Sequence, residues 1–346
     1  MLDVPAIGVD IGGTKIASAL VGPGGQVIQL LSADTPPREA APADVEEVVV
    51  QVVSRLARSD AASAAVSPVP VGIGAAGFID ADGKIVRFSP HVNWREEPLA
   101  DRLSERLATP VFLDNDANAA AWAEHQFGAA RGQSRLVFVA LGTGIGGALV
   151  YDGRIERGAH GMAGEFGHMN VVPRGRPCPC GNRGCWERYC SGTALVAKAA
   201  EMMASSTGSS DRLRAACADD ASTLTGRAVA ELARDGDPGA AAVVDTIGTW
   251  LGRGLSALVA VLDPGDVVIG GGLSALGETL LQPARIEMRA SFPGGAHRPE
   301  PSVRAARLGA LAGVIGAADL ARRAFTTTPG IGATTTAEPP IRTGPT

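Results

Sequence analysis

The sequence predicts an α/β fold whose two halves share one pattern and enclose a cleft. In each half a strand runs into a short glycine-rich turn and a second strand follows it, first at Gly12-Gly13 and again at Gly142-Thr143-Gly144. Strands and helices are mixed along the rest of both halves, as in α/β proteins. A cleft between two such halves is where a small ligand is expected.

The bulk composition is that of a globular enzyme and excludes several other classes. The chain has 346 residues, which suggests about two domains, and a net charge of -5. This charge argues against a nucleic-acid surface, which usually carries a basic patch. No apolar run is long enough to cross a bilayer, and Met1-Leu-Asp-Val-Pro does not resemble a signal peptide. We therefore expect a cytoplasmic protein whose partners include neither nucleic acid nor a membrane.

The first half contains predicted strands bounded by glycine or proline and helices with apolar residues at helical spacing. The predicted strands cover residues 6–10, 16–21, 27–31, 69–75 and 110–113, and the predicted helices cover 43–56 and 99–107.

The second half repeats the strand–turn–strand pattern after a helix that ends at Gly128, a typical helix stop. Asp237 before Pro238 predicts a capped start for the longest helix. The predicted strands are 136–141, 148–151 and 266–269, and the predicted helices are 117–127, 193–203, 225–234, 238–262 and about 308–325.

These elements suggest two domains and a tail. We expect a small α/β domain over residues 1–116, with the helix at about 308–325 packing back on it. A large α/β domain would cover residues 117–307 and include a metal loop at 165–187. Residues 326–346 are rich in Thr, Pro and Gly and are expected to be disordered.

The first glycine turn, Asp10-Ile-Gly12-Gly13-Thr14-Lys15, has the residues of a phosphate site. Glycines let the backbone approach an anion and direct N–H groups at it, and Thr14 and Lys15 add a hydroxyl and a positive charge. Asp10 could hold Mg²⁺ through water. The alternative is a tight hairpin turn whose glycines supply positive φ.

Two further glycine segments extend this prediction. Gly142-Thr143-Gly144 repeats the turn in the second half, and two turns facing one cleft suit a nucleoside triphosphate such as ATP. Gly270-Gly271-Gly272 follows a buried strand, where it could pack against a purine or phosphates, or simply turn the chain.

Asp116 is the candidate general base. The strand at 110–113 delivers Asp114, Asn115 and Asp116 to its carboxyl end, the usual place for working residues in α/β folds. An ionised carboxylate there could accept a proton from a hydroxyl that attacks phosphorus. The alternative is that Asp114 or Asp116 only caps the following helix.

Three thiols and an imidazole predict a structural zinc site. His168, Cys178, Cys180 and Cys185 lie within eighteen residues, and together they match a closed tetrahedral ligand set. The alternatives are a disulfide or buried free thiols, and disulfides are rare in the cytosol. Cys190 and Cys217 fall outside the spacing and are expected to be semi-buried thiols.

Two carboxylates, Glu165 and Glu187, alternate with the metal ligands. Folding the loop around zinc would immobilise both, and with Asn93 and His168 they suit a polyhydroxylated ligand. Singly, each of these residues could be an ordinary surface residue.

The motifs together resemble the ROK family (repressors, open reading frames and kinases), and most closely its ATP-dependent bacterial glucokinases. The resemblance covers residues 10 to about 324. It is carried by Asp10-Ile-Gly-Gly-Thr-Lys15, Gly74-Ala-Ala-Gly77, Asn115-Asp116-Ala-Asn118, Gly142-Thr-Gly144, Gly164-Glu165-Phe-Gly-His168 and the Cys178/Cys180/Cys185/Glu187 knuckle.

The resemblance implies a two-lobed, actin-like (RNase H-like) fold that closes on sugar and ATP. It implies that Asp116 takes the proton from the 6-hydroxyl of glucose, that both glycine turns hold ATP with Mg²⁺, and that the triple glycine lies near the adenosine. It also implies a homodimer or homotetramer. The residues it assigns to the sugar ring are Gly77, Asn115, Asp116, Glu165, His168 and Glu187.

Other interpretations stay open at the level of sequence. The sugar could be N-acetylglucosamine, N-acetylmannosamine, fructose or mannose. The donor could be polyphosphate, although the family's polyphosphate-using members look different around the zinc knuckle, which favours ATP. A non-catalytic sugar sensor, or a zinc loop that binds a protein, is a further alternative. The family's repressors carry a winged-helix domain ahead of the kinase-like part; here the first turn begins at Gly12, so we expect none.

Overall fold

Two five-stranded sheets form the frame of the protein. The structure is a computed structural model that describes residues 4–59, 62, 68–205 and 210–327. The strands of the first half are β1 (Ala6–Ile11), β2 (Lys15–Val21), β3 (Val27–Asp34), β4 (Val71–Ala75), β5 (Phe78–Ile79), β6 (Val86–Phe88), β7 (Arg95–Glu97) and β8 (Val111–Asn115). Those of the second half are β9 (Arg135–Leu141), β10 (Ile145–Tyr151), β11 (Arg154–Ile155), β12 (Asp266–Gly270) and β13 (Ser302–Ala305).

The two large sheets have the same topology. The strand order is β3-β2-β1-β4-β8 in the first and β11-β10-β9-β12-β13 in the second. In each, an antiparallel hairpin (β1–β2 or β9–β10) carries a glycine turn, and two further strands run parallel to the first. The duplicated α/β pattern expected from the sequence is therefore confirmed.

The helices begin and end close to the predicted positions. They are α1 (Pro42–Ala57), α2 (Leu99–Leu107), α3 (Asp116–Phe127), α4 (Gly192–Ala204), α5 (Asp211–Ala215), α6 (Gly226–Arg234), α7 (Pro238–Leu262), α8 (Glu278–Ser291) and α9 (Ala312–Thr327). The start of α7 is capped as predicted, because Asp237 Oδ1 accepts a hydrogen bond from the N–H of Ala240 at 2.8 Å. Pro238 occupies the first turn, where its missing N–H costs nothing.

Helix α3 lies between the two large sheets. A Cβ atom placed on Gly74 of β4 would lie 3.4 Å from Ala119, and one placed on Gly146 of β10 would lie 3.4 Å from Ala117. On another side, Gly316 of α9 packs directly on the carbonyl of Ala119. Small residues on all three surfaces therefore let α3 approach both sheets closely.

Helix α9 packs on the first sheet. Its backbone carbonyls at Val314 and Ala317 touch the positions where Gly8 and Gly72 lack side chains. The buried Arg322 donates to the carbonyls of Val4 and Val21 at 2.8 and 2.9 Å. The predicted small domain requires the last helix to pack in this way on the first sheet. Most of the predicted tail lies outside the described residues.

Several elements were not predicted. The small sheet β5-β6-β7, the short strand β11, the short helix α5, helix α8 and the edge strand β13 are all additions to the sequence-based assignment. The last helix begins at Ala312 rather than at about 308, because a separate turn of 3₁₀-helix occupies Gly309–Leu311. Along the described part of the chain, every helix is too short or too polar to serve as a membrane span.

Glu124 fastens α3 to the segment that leads into α9. Its carboxylate is fully buried and accepts backbone N–H bonds from Ala129 (2.7 Å), Arg307 (2.9 Å) and Leu308 (2.7 Å). A buried carboxylate with several N–H donors is stable only while those bonds are made.

We expect Glu124→Ala to lower the free energy of unfolding by roughly 3–5 kcal/mol, because three N–H groups lose the buried carboxylate that accepts their hydrogen bonds. Urea unfolding followed by circular dichroism would measure it. Glu300→Ala, which removes an exposed carboxylate paired with Arg289, is the control and should barely move the midpoint. Equal effects of the two substitutions would contradict the assignment.

Candidate active site

Strand β8 delivers three polar residues to the start of α3, and each has a different task. Asn115 caps the helix, since its Oδ1 accepts from the N–H groups of Ala117 (2.8 Å) and Asn118 (3.2 Å). Asp114 is held by Arg157 at 2.5 Å and by the side chain of Asn118 at 2.8 Å. Asp116 accepts from the N–H of Ala117 at 2.8 Å, a group that Asn115 already satisfies. The cap therefore does not need Asp116.

Asp116 lies at a meeting point of charged groups from both halves. Burial raises the pKa of its carboxyl, and the nearby His91 works in the opposite direction. Burial is the main cause of the raised pKa of Asp10 in the first turn and of Glu165 in the metal loop, and the Asp116 carboxylate raises both further. The Asp116 carboxylate therefore interacts electrostatically with Asp10 in the first glycine turn and with Glu165 in the metal loop.

Burial, and secondarily the charge of Asp116, raises the pKa of Asp10 to about 7. Asp10 ends up here because β1 carries it to the carboxyl edge of the first sheet, where its carboxylate lies against Gly313 of α9. A carboxyl group with this pKa is a strong candidate for holding a cation, which would stabilise its charged form.

The first glycine turn is a hairpin closed by the N–H of Gly12 donating to the carbonyl of Lys15 at 3.0 Å. Thr35 steadies it, with its hydroxyl donating to the carbonyl of Gly12 at 2.8 Å. Neither Gly12 nor Gly13 has positive φ, so the alternative based on backbone conformation is wrong. Lys15 is exposed. Gly13 lets the side chain of His91 approach the turn closely.

His91 is the residue at the first turn that the sequence analysis missed. A Cβ on Gly13 would lie 3.0 Å from the Cβ of His91 and 3.4 Å from its Nδ1. Ser89 fixes the loop, because its Oγ accepts from the N–H groups of His91 (3.3 Å) and Val92 (3.2 Å) and donates to the carbonyl of Ala76 (2.8 Å). An exposed histidine in an irregular loop gives no local signal of such a contact.

The second glycine turn borders a cavity. The carbonyl of Gly142 accepts from the N–H of Gly192, and the carbonyl of Thr143 from the hydroxyl of Thr193, so the turn is joined to the start of α4. A cavity of about 650 Å³ opens here, large enough for a nucleotide. Its walls include Gly142, Thr143, Thr193, Arg227, Gly272 and Leu273.

The three glycines at 270–272 behave differently from one another. Gly270 ends β12, Gly271 has φ +76°, and Gly272 begins a 3₁₀ turn at the wall of the cavity. A Cβ on Gly271 would lie 2.5 Å from the carbonyl of Leu141 at the end of β9. The segment is therefore both a tight turn and a cavity wall.

The four predicted zinc ligands converge. The donor atoms of His168, Cys178, Cys180 and Cys185 lie within 4.8 Å of one another. Cys178 Sγ is 3.9 Å from His168 Nδ1, and Cys180 Sγ is 3.6 Å from Cys185 Sγ. A tetrahedron with Zn–S bonds of about 2.3 Å has edges of about 3.7 Å. The donor set and its spacing therefore fit a zinc ion.

The alternatives for these cysteines fit less well. All five cysteines are free thiols, so a disulfide does not form here. Cys190 and Cys217 are buried rather than semi-buried, at 0% and 5% exposure, and lie outside the cluster. The loop itself is anchored by Trp186, whose ring packs on Gly254 of α7 and whose Nε1 donates to the carbonyl of Trp250 at 2.8 Å.

Glu187 links the metal cluster to the second glycine turn. Its Oε1 accepts from Cys178 Sγ at 3.0 Å and lies 3.9 Å from His168 Nδ1. Its Oε2 is 2.5 Å from the position of a Cβ on Gly144. Because Nδ1 of His168 faces the thiols, its Nε2 points towards Glu165, 3.8 Å from Oε2. The cluster thus orients three side chains that can bind a polar ligand.

Gly77 and Asn115 are brought together, whereas Asn93 stands apart. Asn115 Nδ2 donates to the carbonyl of Gly77 at 3.1 Å. Gly77 has φ +151° and packs against the carbonyl of Phe88, so no side chain fits there. Asn93 is exposed between β6 and β7 and makes no side-chain hydrogen bond to any residue in the described ranges.

The fold is two-lobed and of the sugar-kinase type. It has duplicated sheets that each begin with a glycine hairpin, and a cluster of carboxylates lies beside the metal loop. The chain belongs to the ROK family, whose model matches residues 6–324.

Individual relatives align with this chain over most of their length. The glucokinase of Streptomyces coelicolor is 39% identical over 317 residues, 91% of this chain and 97% of that protein. The glucokinase of Halalkalibacterium halodurans is 36% identical over 312 residues, 90% of this chain and 92% of that protein. The crystal structure of a ROK family glucokinase from Streptomyces griseus in complex with glucose and AMPPNP superimposes on this structure with a TM-score of 0.81, and the two sequences are 40% identical. That match covers 92% of this chain and 99% of the other.

The raised pKa of Asp10 gives a stability prediction. The folded-state pKa of about 7 exceeds that of an unfolded aspartate, near 4, so stability falls as pH rises between these values. Asp10→Asn removes the buried charge. We expect its thermal midpoint to exceed that of the wild type by a few degrees at pH 8, and the gain to shrink towards pH 4.

Differential scanning calorimetry in magnesium-free and nucleotide-free buffer would measure the two midpoints across pH. Asp245→Asn, at an exposed position on α7, is the matched control and should show no such trend. A difference between Asp10→Asn and wild type that stays constant from pH 4 to pH 8 would contradict the prediction.

Proposed function

We propose that the protein is an ATP-dependent glucokinase that transfers the γ-phosphoryl group of ATP to the 6-hydroxyl of glucose. The observation that carries the proposal is the position of Asp116, whose carboxylate is coupled to Asp10 of the first glycine turn and to Glu165 of the metal loop. Relatives that align over nine-tenths of the chain and are named glucokinases support the same activity.

Asp116 is the proposed general base. Its carboxylate is not needed for the helix cap, because the N–H of Ala117 from which it accepts is also satisfied by Asn115. Burial raises its pKa towards the range in which a base accepts a proton most effectively near neutral pH. Taking the proton from the sugar hydroxyl lets that oxygen attack phosphorus in line with the leaving group.

The nucleotide is proposed to bind across both glycine turns. The cavity of about 650 Å³ beside Thr143 and Gly272 would take the adenosine, with Gly270 and Gly271 behind it. The phosphates would extend past Gly142 and Gly144 towards Gly12, Gly13, Thr14 and Lys15. Asp10 would hold Mg²⁺, which supplies positive charge to the phosphates when bound. His91 beside Gly13 adds a donor on the same side.

The sugar is proposed to lie between Asp116 and the metal loop. Glu165, His168 and Glu187 present two carboxylates and an imidazole N–H, which suit the hydroxyls of a hexose. Gly77, Asn93 and Asn115 complete the proposed set. Zinc held by His168, Cys178, Cys180 and Cys185 would act by fixing these side chains, and none of the chemistry requires it directly.

Three further features belong to the proposal. The two domains would meet at residues 116–117, with α9 completing the smaller one. A homodimer or homotetramer is supported by the family resemblance. A cytoplasmic location is supported by the free thiols, which match a reducing compartment.

Replacing the general base tests the chemistry. We expect Asp116→Asn to lower kcat roughly 100- to 10,000-fold, because the amide cannot accept the hydroxyl proton, while glucose still binds. A coupled ADP-release assay gives kcat, and calorimetry gives the Kd for glucose. Asp82→Asn, on an exposed turn beside β5, is the control. Near-wild-type turnover of Asp116→Asn would remove this residue from its role.

Removing zinc tests the ligand-positioning role of the metal loop. We expect Cys180→Ser to lose stoichiometric zinc and to weaken glucose binding about 10- to 100-fold, because His168, Glu165 and Glu187 lose their fixed orientation. Cys217→Ser, a buried thiol outside the cluster, should keep both properties. Metal content by mass spectrometry and glucose Kd by calorimetry are the measurements. Unchanged glucose affinity in a zinc-free Cys180→Ser protein would contradict the role.

A further inference from the structure

A second cavity, of about 230 Å³, lies between the metal loop and α4. Arg176, Pro177 and Arg188 form the wall on the loop side, and Thr193, Ala197 and Glu201 form the wall on α4. None of the residues assigned to sugar, zinc or Mg²⁺ lines it. Its walls carry two arginines and one glutamate, and only Thr193 is shared with the proposed nucleotide cavity.

Arg188 is the unusual group in this cavity. Its Nε is shielded from solvent and has no hydrogen-bond partner, and its guanidinium forms no ion pair with any residue in the described ranges. Because Nε is closed off from the cavity, an anion there would not reach it. The anion would lie against the rest of the Arg188 side chain, which lines the cavity, and would neutralise its charge.

Glu201, the one acidic residue on the walls, is already neutralised by other cations. Its Oε1 accepts from Arg176 at 2.6 Å, and its Oε2 accepts from Lys198 at 3.3 Å. Arg176 is itself fixed, since it stacks over the ring of Tyr189 at 5.2 Å and donates to the carbonyl of Arg188 at 3.1 Å. The positive charge of Arg188 is therefore not neutralised by Glu201, and the neighbouring Arg176 and Glu201 are held in place.

The beginning of α4 faces the same space. Ser191 caps the helix through the N–H of Ala194 at 3.2 Å, and Thr193 in the first turn lines both this cavity and the larger one. The positive end of the helix dipole adds to the attraction for an anion. Arginine favours phosphate because its planar fork binds two phosphate oxygens at once.

We propose that the Arg188 cavity is an accessory binding site for a phosphate group, separate from the nucleotide site. The volume exceeds that of a single phosphate, so the group could belong to inorganic phosphate or to a short condensed phosphate. Both sources share the chemistry that Arg188 recognises. The site adds to the proposed kinase activity and does not depend on it.

Calorimetric titration tests the site in protein saturated with glucose and AMPPNP, so that the nucleotide cavity is filled. Inorganic phosphate and tripolyphosphate are the two probes. We expect at least one to bind to the wild type, and its Kd to rise at least tenfold in Arg188→Gln. Arg183→Gln, which removes an exposed arginine from the same loop, is the matched control and should bind like the wild type.

Ala197→Glu gives a second test that leaves Arg188 in place. Ala197 is exposed on α4, where glutamate is well tolerated, and the new carboxylate would fill the cavity and pair with Arg188. It should abolish binding of the same probe. The proposal would be overturned if neither probe binds the saturated protein, or if Arg188→Gln and Ala197→Glu both bind as tightly as the wild type.

Discussion

The close packing of α3 between the two sheets is the contact on which the rest of the site depends. Ala117 and Ala119 meet β10 and β4 at positions where Gly146 and Gly74 lack a Cβ, so the helix touches both halves. Its first residue, Asp116, therefore lies where the two halves meet. An alanine would just fit at Gly74 or Gly146, but a longer side chain there would run into α3 and disturb its packing on the two sheets.

The metal loop supplies the second constraint. Trp186 buries one side of the loop against α7, and the four ligand atoms gather the other side around a single point. Glu187 lies between them and reaches both the thiol of Cys178 and the second glycine turn. Glu187 itself lies in a short 3₁₀ turn, Trp186–Arg188, so its carboxylate is held between the packed Trp186 and the cluster of candidate metal ligands.

The electrostatics of the centre oppose stability and favour function. Asp10 and Asp116 are drawn into a poorly solvated region, and burial raises the pKa of both carboxyl groups. Folding forces this arrangement because strands β1 and β8 end at the same edge of the sheet, two strands apart. Such a cost in the free protein is expected if the proposed roles of Asp10 with a cation and of Asp116 with a proton are correct.

The amino-acid sequence by itself determined the local features of this protein. The hairpins at Gly12 and Gly142, the capped start of α7 and the zinc ligands depend on residues close together in the chain, whose pattern is visible without the fold. The resemblance to a family then placed Asp116, Glu165 and Glu187 in one site. The structure confirms the fold, and the roles of those side chains stay predictions.

Only the tertiary structure decided the features that depend on distant partners. Strand β13 is a short segment that becomes a strand by pairing with β12, and α8 forms despite Pro283 because Gly248 and Gly252 of α7 let it pack closely. The contact between His91 and Gly13 follows from chain segments that meet only after folding. The same holds for the buried Nε of Arg188, which has no hydrogen-bond partner among the residues that the structure describes. The physical reason is that local pattern records propensity and burial, whereas contacts across the fold are set by how whole elements pack.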